Sequence, residues 1–154
     1  MKLIKLNIVA LVPTRAGCAV FLVNDDKVIQ FYIENGIGQA INDHLAGESF
    51  DRPMTFDLMS NLLKSMGARM KSLLIHDYKE DEDSEGVYFA NMVWEMSNEL
   101  EARKIVEIDC RPSDGIALAV RQEVDIMMKM SIWEALEDQS QLLTKLKEQM
   151  GDIM

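Results

Sequence analysis

The sequence predicts an α+β domain in which a mixed or largely antiparallel sheet of hairpins carries three to four helices. Pairs of strand-like runs are joined by short polar turns, and helical periodicities separate those pairs. A length of 154 residues suits one core, whereas two cores would both be undersized. With 48% hydrophobic and 27% charged residues, the composition is that of a globular protein and excludes disordered and collagen-like chains.

The first third of the chain predicts three strands and a helix. Residues 3–12 are rich in β-branched and aliphatic side chains and should form a largely buried strand that ends at Pro13. The runs 19–23 and 28–33 flank the polar turn 24–27 and predict a hairpin. A helical period follows Gly36, and its apolar face comprises Ile37, Ala40, Ile41, His44 and Leu45.

A second helix should open at Thr55, whose hydroxyl can cap free backbone N–H groups, and should end at Gly67. Its predicted buried face consists of Leu58, Met59, Leu62, Leu63 and Met66. Strands are predicted over residues 70–77 and 87–96, with the charged loop 79–86 between them, and over residues 105–109.

The last third of the chain predicts two helices and an edge strand. Pro112 suits the first turn of a helix, because its fixed φ matches the helical value. Residues 125–129 should add an edge strand. Ser131-Ile132-Trp133-Glu134 is a capping box, from which one long terminal helix should run to Met150.

The charge distribution limits the surfaces that nucleic acid could use. The net charge is −10, and residues 77–101 carry most of the excess. This balance argues against a broad polyanion-binding surface and leaves a small basic pocket, built from Arg52, Arg111 and Arg121, as the route to phosphate.

Two cysteines, Cys18 and Cys110, make neither a disulfide framework nor a metal-ligand spacing. We therefore expect a cytoplasmic protein. No apolar run approaches the roughly 18 to 20 residues that cross a bilayer, so we expect no membrane contact.

Two segments share a pattern at predicted helix starts: Arg52-Pro53-Met54-Thr55-Phe56-Asp57 and Arg111-Pro112-Ser113-Asp114. In a structural interpretation, the hydroxyl and carboxylate side chains satisfy the free N–H groups of the first turn. In a functional interpretation, the two starts meet, so that two arginines hold a phosphodiester beside two aspartates that bind a divalent cation or act as a base. Both interpretations can hold at once.

These segments resemble the bifunctional nuclease domain family, whose members typically show R-P-L-T-H-D-L and R-P-S-D-A-I-A-L-A at about this separation. The strand at 28–33 and the Ala40-Ile41 helix agree as well. We assign residues 1–136 to the family-like domain and residues 137–154 to a C-terminal helical extension of it. Phe56 stands where the family usually has His, and Ile37 where it often has Glu.

The resemblance implies a soluble α+β domain that hydrolyses phosphodiesters of DNA and RNA, because the family's plant members have both activities. Matched motif positions imply Asp57, Asp114 and Ser113 as catalytic residues, Arg52, Arg111 and Thr55 as substrate-binding residues, and Asp57 and Asp114 as ligands of Mg²⁺, Mn²⁺ or Ca²⁺. The alternative is a non-catalytic binding or scaffold domain in which both motifs are structural helix starts.

The apolar stripe of the predicted terminal helix indicates self-association. Leu142, Leu143, Leu146 and Met150 continue past the part that matches the family. An exposed stripe of this kind marks an interaction surface, so we predict a homo-oligomer, most simply a two-fold dimer, with this helix at the contact. The alternative is a monomer in which the helix folds back on its own sheet.

Overall fold

Seven strands form one mixed sheet and five helices pack against it, in a computed structural model that describes residues 1–81, 84–100 and 102–151. The strands are β1 (Leu3–Thr14), β2 (Gly17–Asn24), β3 (Lys27–Ile33), β4 (Ala68–Asp81), β5 (Ser84–Ser97), β6 (Arg103–Cys110) and β7 (Ile126–Lys129). The helices are α1 (Asn35–Leu45), α2 (Thr55–Ser65), α3 (Pro112–Gln122), α4 (Met130–Ala135) and α5 (Ser140–Gly151). The predicted α+β class is confirmed, with one helix more than the upper bound expected.

The strand order is β3-β2-β1-β7-β4-β5-β6, and every neighbouring pair is antiparallel except β4 and β7. The strand predicted at the edge of the sheet, β7, instead lies in its interior between β1 and β4. This prediction was wrong because α3 carries the chain from edge strand β6 back across the sheet to its centre. The burial of alternate side chains in β7 matches that position, since Ile126 and Met128 are both buried.

Two strand boundaries also differ from expectation. β1 does not end at Pro13 but continues to Thr14, with Pro13 opposite Cys18 of β2. Proline is tolerated there because this half of β1 pairs with β2 on one side, while β7 pairs only with its first residues. The predicted charged loop is much shorter, because β4 runs to Asp81 and β5 starts at Ser84. Glu82 and Asp83 lie outside the described residues.

The main core lies between the sheet and the layer of α1, α2 and α3. α3 is its centre, since Ile116, Ala117, Leu118 and Ala119 are each at most 2% exposed. α1 lies directly against β2 where Gly38 meets Cys18. A Cβ added at Gly38 would come within 2.6 Å of the Cys18 Cβ, so only glycine permits this approach.

The helix α2 packs with a different face from the one predicted. Leu58, Met59, Leu62 and Met66 are 41% to 62% exposed, and Leu63 alone of the predicted face is partly buried in the core. The buried residue of α2 is Ser60. The periodicity located the helix correctly, but the apolar stripe does not face this chain's core.

The terminal helix is not continuous. A break at residues 136–139 separates α4 from α5, because the Gln139 N–H donates to the carbonyl of Val28 and the Asp138 carboxylate accepts from the Val28 N–H. These bonds to β3 replace helical ones. α5 then lies on the opposite face of the β1-β2-β3 region, where Leu143 is buried against a second small core that includes Phe21.

Most of the α5 stripe is therefore covered by this chain's own sheet, with Leu142 and Leu146 packed against the same cluster, while Met150 is 37% exposed. This corrects the expectation that the stripe lies exposed at a contact between subunits. Among the described helices, none combines the length and the apolar character that a membrane crossing requires.

Candidate functional site

The two Arg-Pro segments begin two different helices, α2 and α3, and these starts do not meet. Asp57 in the first turn of α2 binds Arg121, which lies in the last turn of α3, whereas Asp114 lies in the first turn of α3. The seven residues from Asp114 to Arg121 correspond to about 10 Å along the helix axis. Asp57 and Asp114 therefore belong to opposite ends of α3.

The first segment forms a junction of three helices around a buried arginine. Arg121 donates from Nε to Oδ1 of Asp57 at 2.8 Å, from Nη2 to the Ala40 carbonyl at 3.1 Å, and from Nη1 to the Ala117 carbonyl at 2.9 Å. Phe56 lies against the same guanidinium, 5.6 Å from ring centroid to Cζ. One side chain thus ties α1 and α2 to α3.

Each carboxylate oxygen of Asp57 accepts a hydrogen bond that stabilises the fold. Its Oδ2 accepts the Met54 N–H at 3.1 Å, so this aspartate caps α2 in place of the predicted Thr55 hydroxyl. Burial raises the pKa of Asp57, but hydrogen bonds from Arg121 and Met54, with the positive charges of Arg121 and His44, lower the pKa below 3.8 overall. This half of the motif matches the structural interpretation. Arg52 is exposed in the bend before α2.

The second segment gathers charges at the start of α3. Arg111 holds Asp114 through two hydrogen bonds, Nε to Oδ2 at 2.9 Å and Nη2 to Oδ1 at 3.3 Å. It also donates from Nη1 to Oε1 of Glu34 at 2.9 Å. Both carboxylates raise the pKa of the exposed Arg111 guanidinium, with the hydrogen bond to Asp114 as the largest cause.

Glu34 reaches Arg111 because the sheet curls. Glu34 follows β3, and Arg111 follows β6, so the two residues leave strands at opposite edges of the sheet. The curl also brings Phe31 of β3 to within 5.3 Å of Tyr88 on β5, measured between ring centroids. Residues far apart in the strand order thereby face each other.

A cleft of about 610 Å³ opens between these two parts of the sheet, with the start of α3 at one end. The side chains that line the cleft from β3, β4 and β5 are chiefly aromatic, and those at the start of α3 are polar. The lining includes Gln30, Phe31, Tyr32, Glu34, Tyr78, Tyr88, Arg111 and Ser113. Such a volume is ordinary for a small-ligand site.

The aromatic side of the cleft contains a tilted pair of tyrosine rings. Tyr78 and Tyr88 lie 4.6 Å apart between centroids, while Tyr32 is 48% exposed. Burial, with smaller contributions from Tyr78 and Glu80, raises the pKa of Tyr88 to about 12, so its phenol stays protonated at neutral pH.

Three polar side chains in or beside the cleft, Ser113, Gln30 and Cys110, differ in their exposure, hydrogen bonding and pKa. Ser113 is 7% exposed and lines the cleft at the helix start. Gln30 has a buried Nε2 without a hydrogen-bond partner in the described part of the chain. Burial, then Asp109 and Asp114, raise the pKa of Cys110 to about 11, so its thiol is a poor nucleophile near neutral pH.

The predicted pair of metal ligands does not fit one ion, because Asp57 and Asp114 lie at opposite ends of α3. Within the described ranges, no group of three or more His, Cys, Asp or Glu side chains is arranged to hold a metal. Glu34 and Asp114 do converge on one guanidinium. Two carboxylates fit Mg²⁺, which commonly takes one or two of them and completes its shell with water and substrate phosphate.

Sequence reasoning missed Glu34, Tyr78 and Tyr88. Glu34 follows a strand that was recognised, and the tyrosines lie in the predicted hairpin, but no spacing links residues 34, 88 and 111. Only the curl of the sheet connects them. The contact between Tyr78 and Tyr88 could have been predicted from the hairpin, because the two residues are direct cross-strand partners in its register.

The fold and the site define an α+β domain with an arginine that is held by two carboxylates beside an aromatic cleft. The chain belongs to the bifunctional nuclease domain family, whose family model matches residues 20–141. This match confirms the resemblance drawn from the two Arg-Pro segments.

Two relatives from Mycobacterium tuberculosis are both uncharacterised proteins, MT1877 of strain CDC 1551 / Oshkosh and Rv1829 of strain H37Rv. Each is 26% identical over 109 residues, which cover 71% of this chain. The chain spans 58% of the length of these curated relatives.

Proposed function

We propose that this domain hydrolyses phosphodiesters of single-stranded DNA and RNA in the cleft at the start of α3. The observation that carries the proposal is the convergence of Arg111, Glu34 and Asp114 at the end of an aromatic cleft. Membership of the bifunctional nuclease domain family supports the substrate class.

Phosphate binding rests on Arg111 and the first turn of α3. A guanidinium can form paired hydrogen bonds with phosphate oxygens, and Arg111 remains 58% exposed although two carboxylates hold it. The free N–H groups of a helix start add a favourable dipole. Ser113 lies in this turn and lines the cleft, and in this proposal its hydroxyl donates to a phosphate oxygen.

Base binding rests on the aromatic wall. Proteins that bind single strands stack bases on aromatic side chains, and each such base contributes about 1 to 3 kcal/mol. Tyr32 offers an exposed ring, and Phe31 and Tyr88 form a tilted pair deeper in the cleft. A paired duplex buries its bases and could not use these rings, so the substrate is a single strand.

The hydrolytic role falls to the two carboxylates. Arg111 occupies both Asp114 oxygens and Oε1 of Glu34 before substrate arrives. Once a substrate phosphate takes over the guanidinium, Glu34 and Asp114 would hold a divalent ion, Mg²⁺, Mn²⁺ or Ca²⁺, and such an ion supplies Lewis-acid activation and a more acidic water. Asp114 and Glu34 also fix the position of Arg111 before substrate arrives, which lowers the entropic cost of orienting it. Asp57 takes no part in this proposal, because it binds Arg121 in the last turn of α3, away from the cleft at the start of that helix.

A second candidate is a binding domain without catalysis, which uses the same cleft. The first Arg-Pro segment favours it, since Asp57 serves the three-helix junction and Phe56 replaces the family's His with a ring packed on Arg121. In this case Arg111 and the aromatic wall still bind single strands, but the strands stay intact.

The test uses the full purified chain with end-labelled single-stranded DNA and RNA in the presence of Mg²⁺, Mn²⁺, Ca²⁺ or EDTA. Cleavage and binding affinity are measured separately. We expect cleavage that needs a divalent ion, a loss of at least tenfold in Asp114→Asn and Glu34→Gln, and weaker binding in Arg111→Ala. Lys104→Ala and Glu48→Gln are matched controls, because both positions are exposed and outside the cleft.

The outcomes separate the candidates. Equal cleavage by Asp114→Asn and the parent chain assigns the activity to a contaminant and overturns hydrolysis. Binding that depends on Arg111 without any cleavage supports the binding domain. If neither binding nor cleavage responds to Arg111→Ala, both candidates at this cleft are wrong.

A further inference from the structure

We propose that a second copy of this chain covers the outer face of α2, forming a two-fold dimer in which the two α2 helices pack antiparallel. This surface, the α2 face, consists of Leu45, Phe50, Met54, Leu58, Met59, Leu62 and Met66. The proposal is independent of the nuclease function and moves the predicted dimer contact from α5 to α2.

The α2 face is unusual because the helix shows its apolar side to solvent. The seven side chains are 41% to 62% exposed. Met54, Leu58, Leu62 and Met66 recur every four residues, so they form one ridge about 18 Å long. A surface helix normally turns such a ridge to the core.

The inner side of α2 is held by polar contacts instead. Asp57 binds Arg121 at 2.8 Å, and the Ser60 hydroxyl accepts from Nε2 of Gln122 at 2.7 Å. Both partners belong to α3. The orientation of α2 is therefore fixed by specific hydrogen bonds, and the helix cannot rotate to bury the ridge without losing them.

The size of the α2 face matches a dimer contact. Seven half-exposed large side chains present several hundred Å² of apolar surface, whereas the largest such patch on a monomer is about 300 to 600 Å² and usually functional. A standard interface buries about 800 Å² on each partner. The α2 face with its polar rim reaches that scale.

The order of residues on the ridge favours a copy of itself as the occupant. The ridge reads Met, Leu, Leu, Met, so a two-fold axis between Leu58 and Leu62 places Met54 of one copy beside Met66 of the other. A two-fold contact requires this kind of self-complementarity. Ridges spaced by four residues interdigitate with each other at an interhelical angle of about −50°.

Charges at the rim agree with the antiparallel arrangement. Glu48, Asp51 and Arg52 precede the start of α2 and together carry a net charge of −1, whereas Lys64 and Arg69 lie at or just after its end and carry +2. Antiparallel packing brings the acidic end of one copy to the basic end of the other and also opposes the helix dipoles favourably. Parallel packing would oppose like charges.

The test measures the mass of the full chain by light scattering and sedimentation over a wide concentration range. We expect twice the 17.5 kDa chain mass. Leu58→Asp and Leu62→Asp should each yield monomers, and both sites are more than half exposed, so the fold should survive, as circular dichroism would verify. Val9→Asp and Ile105→Asp are matched controls at exposed apolar positions outside the α2 face.

A cross-linking experiment locates the axis. A mixture of Leu58→Cys and Leu62→Cys chains should give mixed covalent dimers under mild oxidation, because the axis places these two positions side by side, whereas Val9→Cys should give none. The parent chain reports on Cys18 and Cys110. A monomeric parent at every concentration overturns the proposal. So does a dimer that survives both aspartate variants, and loss of the dimer in Ile105→Asp alone would move the contact to the β6 edge.

Discussion

Arg121 donates to Asp57 across 2.8 Å with only 5% of its side chain exposed, and this ion pair joins the end of α3 to the start of α2. The sequence assigned Arg121 to a basic pocket and Asp57 to a catalytic pair. In the structure these two residues are partners in one structural junction. The contact explains why Asp57 does not reach the cleft, and it fixes which side of α2 faces solvent.

Removing the Asp57 carboxylate should destabilise the fold. Asp57→Ala deletes the partner of a buried guanidinium and the cap of α2, so we expect the free energy of unfolding to fall by about 2 to 3 kcal/mol. Urea unfolding followed by circular dichroism measures this, with Glu134→Gln as the exposed acidic control. A loss below roughly 0.5 kcal/mol would be typical of an ordinary surface position and would contradict the junction.

The same contact should respond to acid. The pKa of Asp57 lies below its ordinary value of 3.8 in the folded protein, so the unfolded chain takes up a proton first as the pH falls. The stabilisation that the Asp57 carboxylate provides is complete above the pKa of Asp57 in the unfolded chain. It is lost as the pH falls through the pKa of Asp57 in the folded protein. We expect the stability difference between the parent and Asp57→Asn to be constant near neutral pH and to shrink below 3.8. Urea unfolding over a pH series measures it, and a difference that stays constant in acid would refute the assignment.

Restoring the family's histidine should not change catalysis. Phe56 packs on Arg121 at the end of α3 remote from Arg111, so Phe56→His should leave the rate of any cleavage within about twofold of the parent. It should lower stability by about 1 kcal/mol, because a smaller polar ring replaces the packed one. Cleavage assays and urea unfolding on the same preparation test both. A gain in cleavage of tenfold or more would return the first Arg-Pro segment to the active site.

Truncating a side chain on α5 should weaken the fold and leave the dimer intact. Leu143 is 8% exposed against Phe21 and its neighbours, so Leu143→Ala should cost about 2 to 4 kcal/mol. Met150→Ala is the control, since Met150 is 37% exposed. Thermal melting and light scattering should show a lower melting temperature at an unchanged dimer mass. A stable monomer from Leu143→Ala would instead support the α5 contact predicted from the sequence.

Local patterns were sufficient to predict most of the elements. The hairpin at 17–33 follows from two strand-like apolar runs around a polar turn, and α3 begins at Pro112, whose fixed φ suits the first helical turn. The family resemblance likewise rests on two short segments whose residues are read directly. Such features depend on neighbours within a few positions, so the sequence alone contains the information.

Tertiary structure decided where those elements go and which faces they bury. Periodicity marks an apolar ridge on α2 but does not say whether this chain or another covers it, because Asp57 and Ser60 fix the orientation through partners more than fifty residues away. In the same way, Glu34 and Arg111 meet across 2.9 Å only because the sheet curls until its two edges approach. Long-range contacts of this kind leave no spacing in the sequence, since their separation along the chain is set by everything that folds between them.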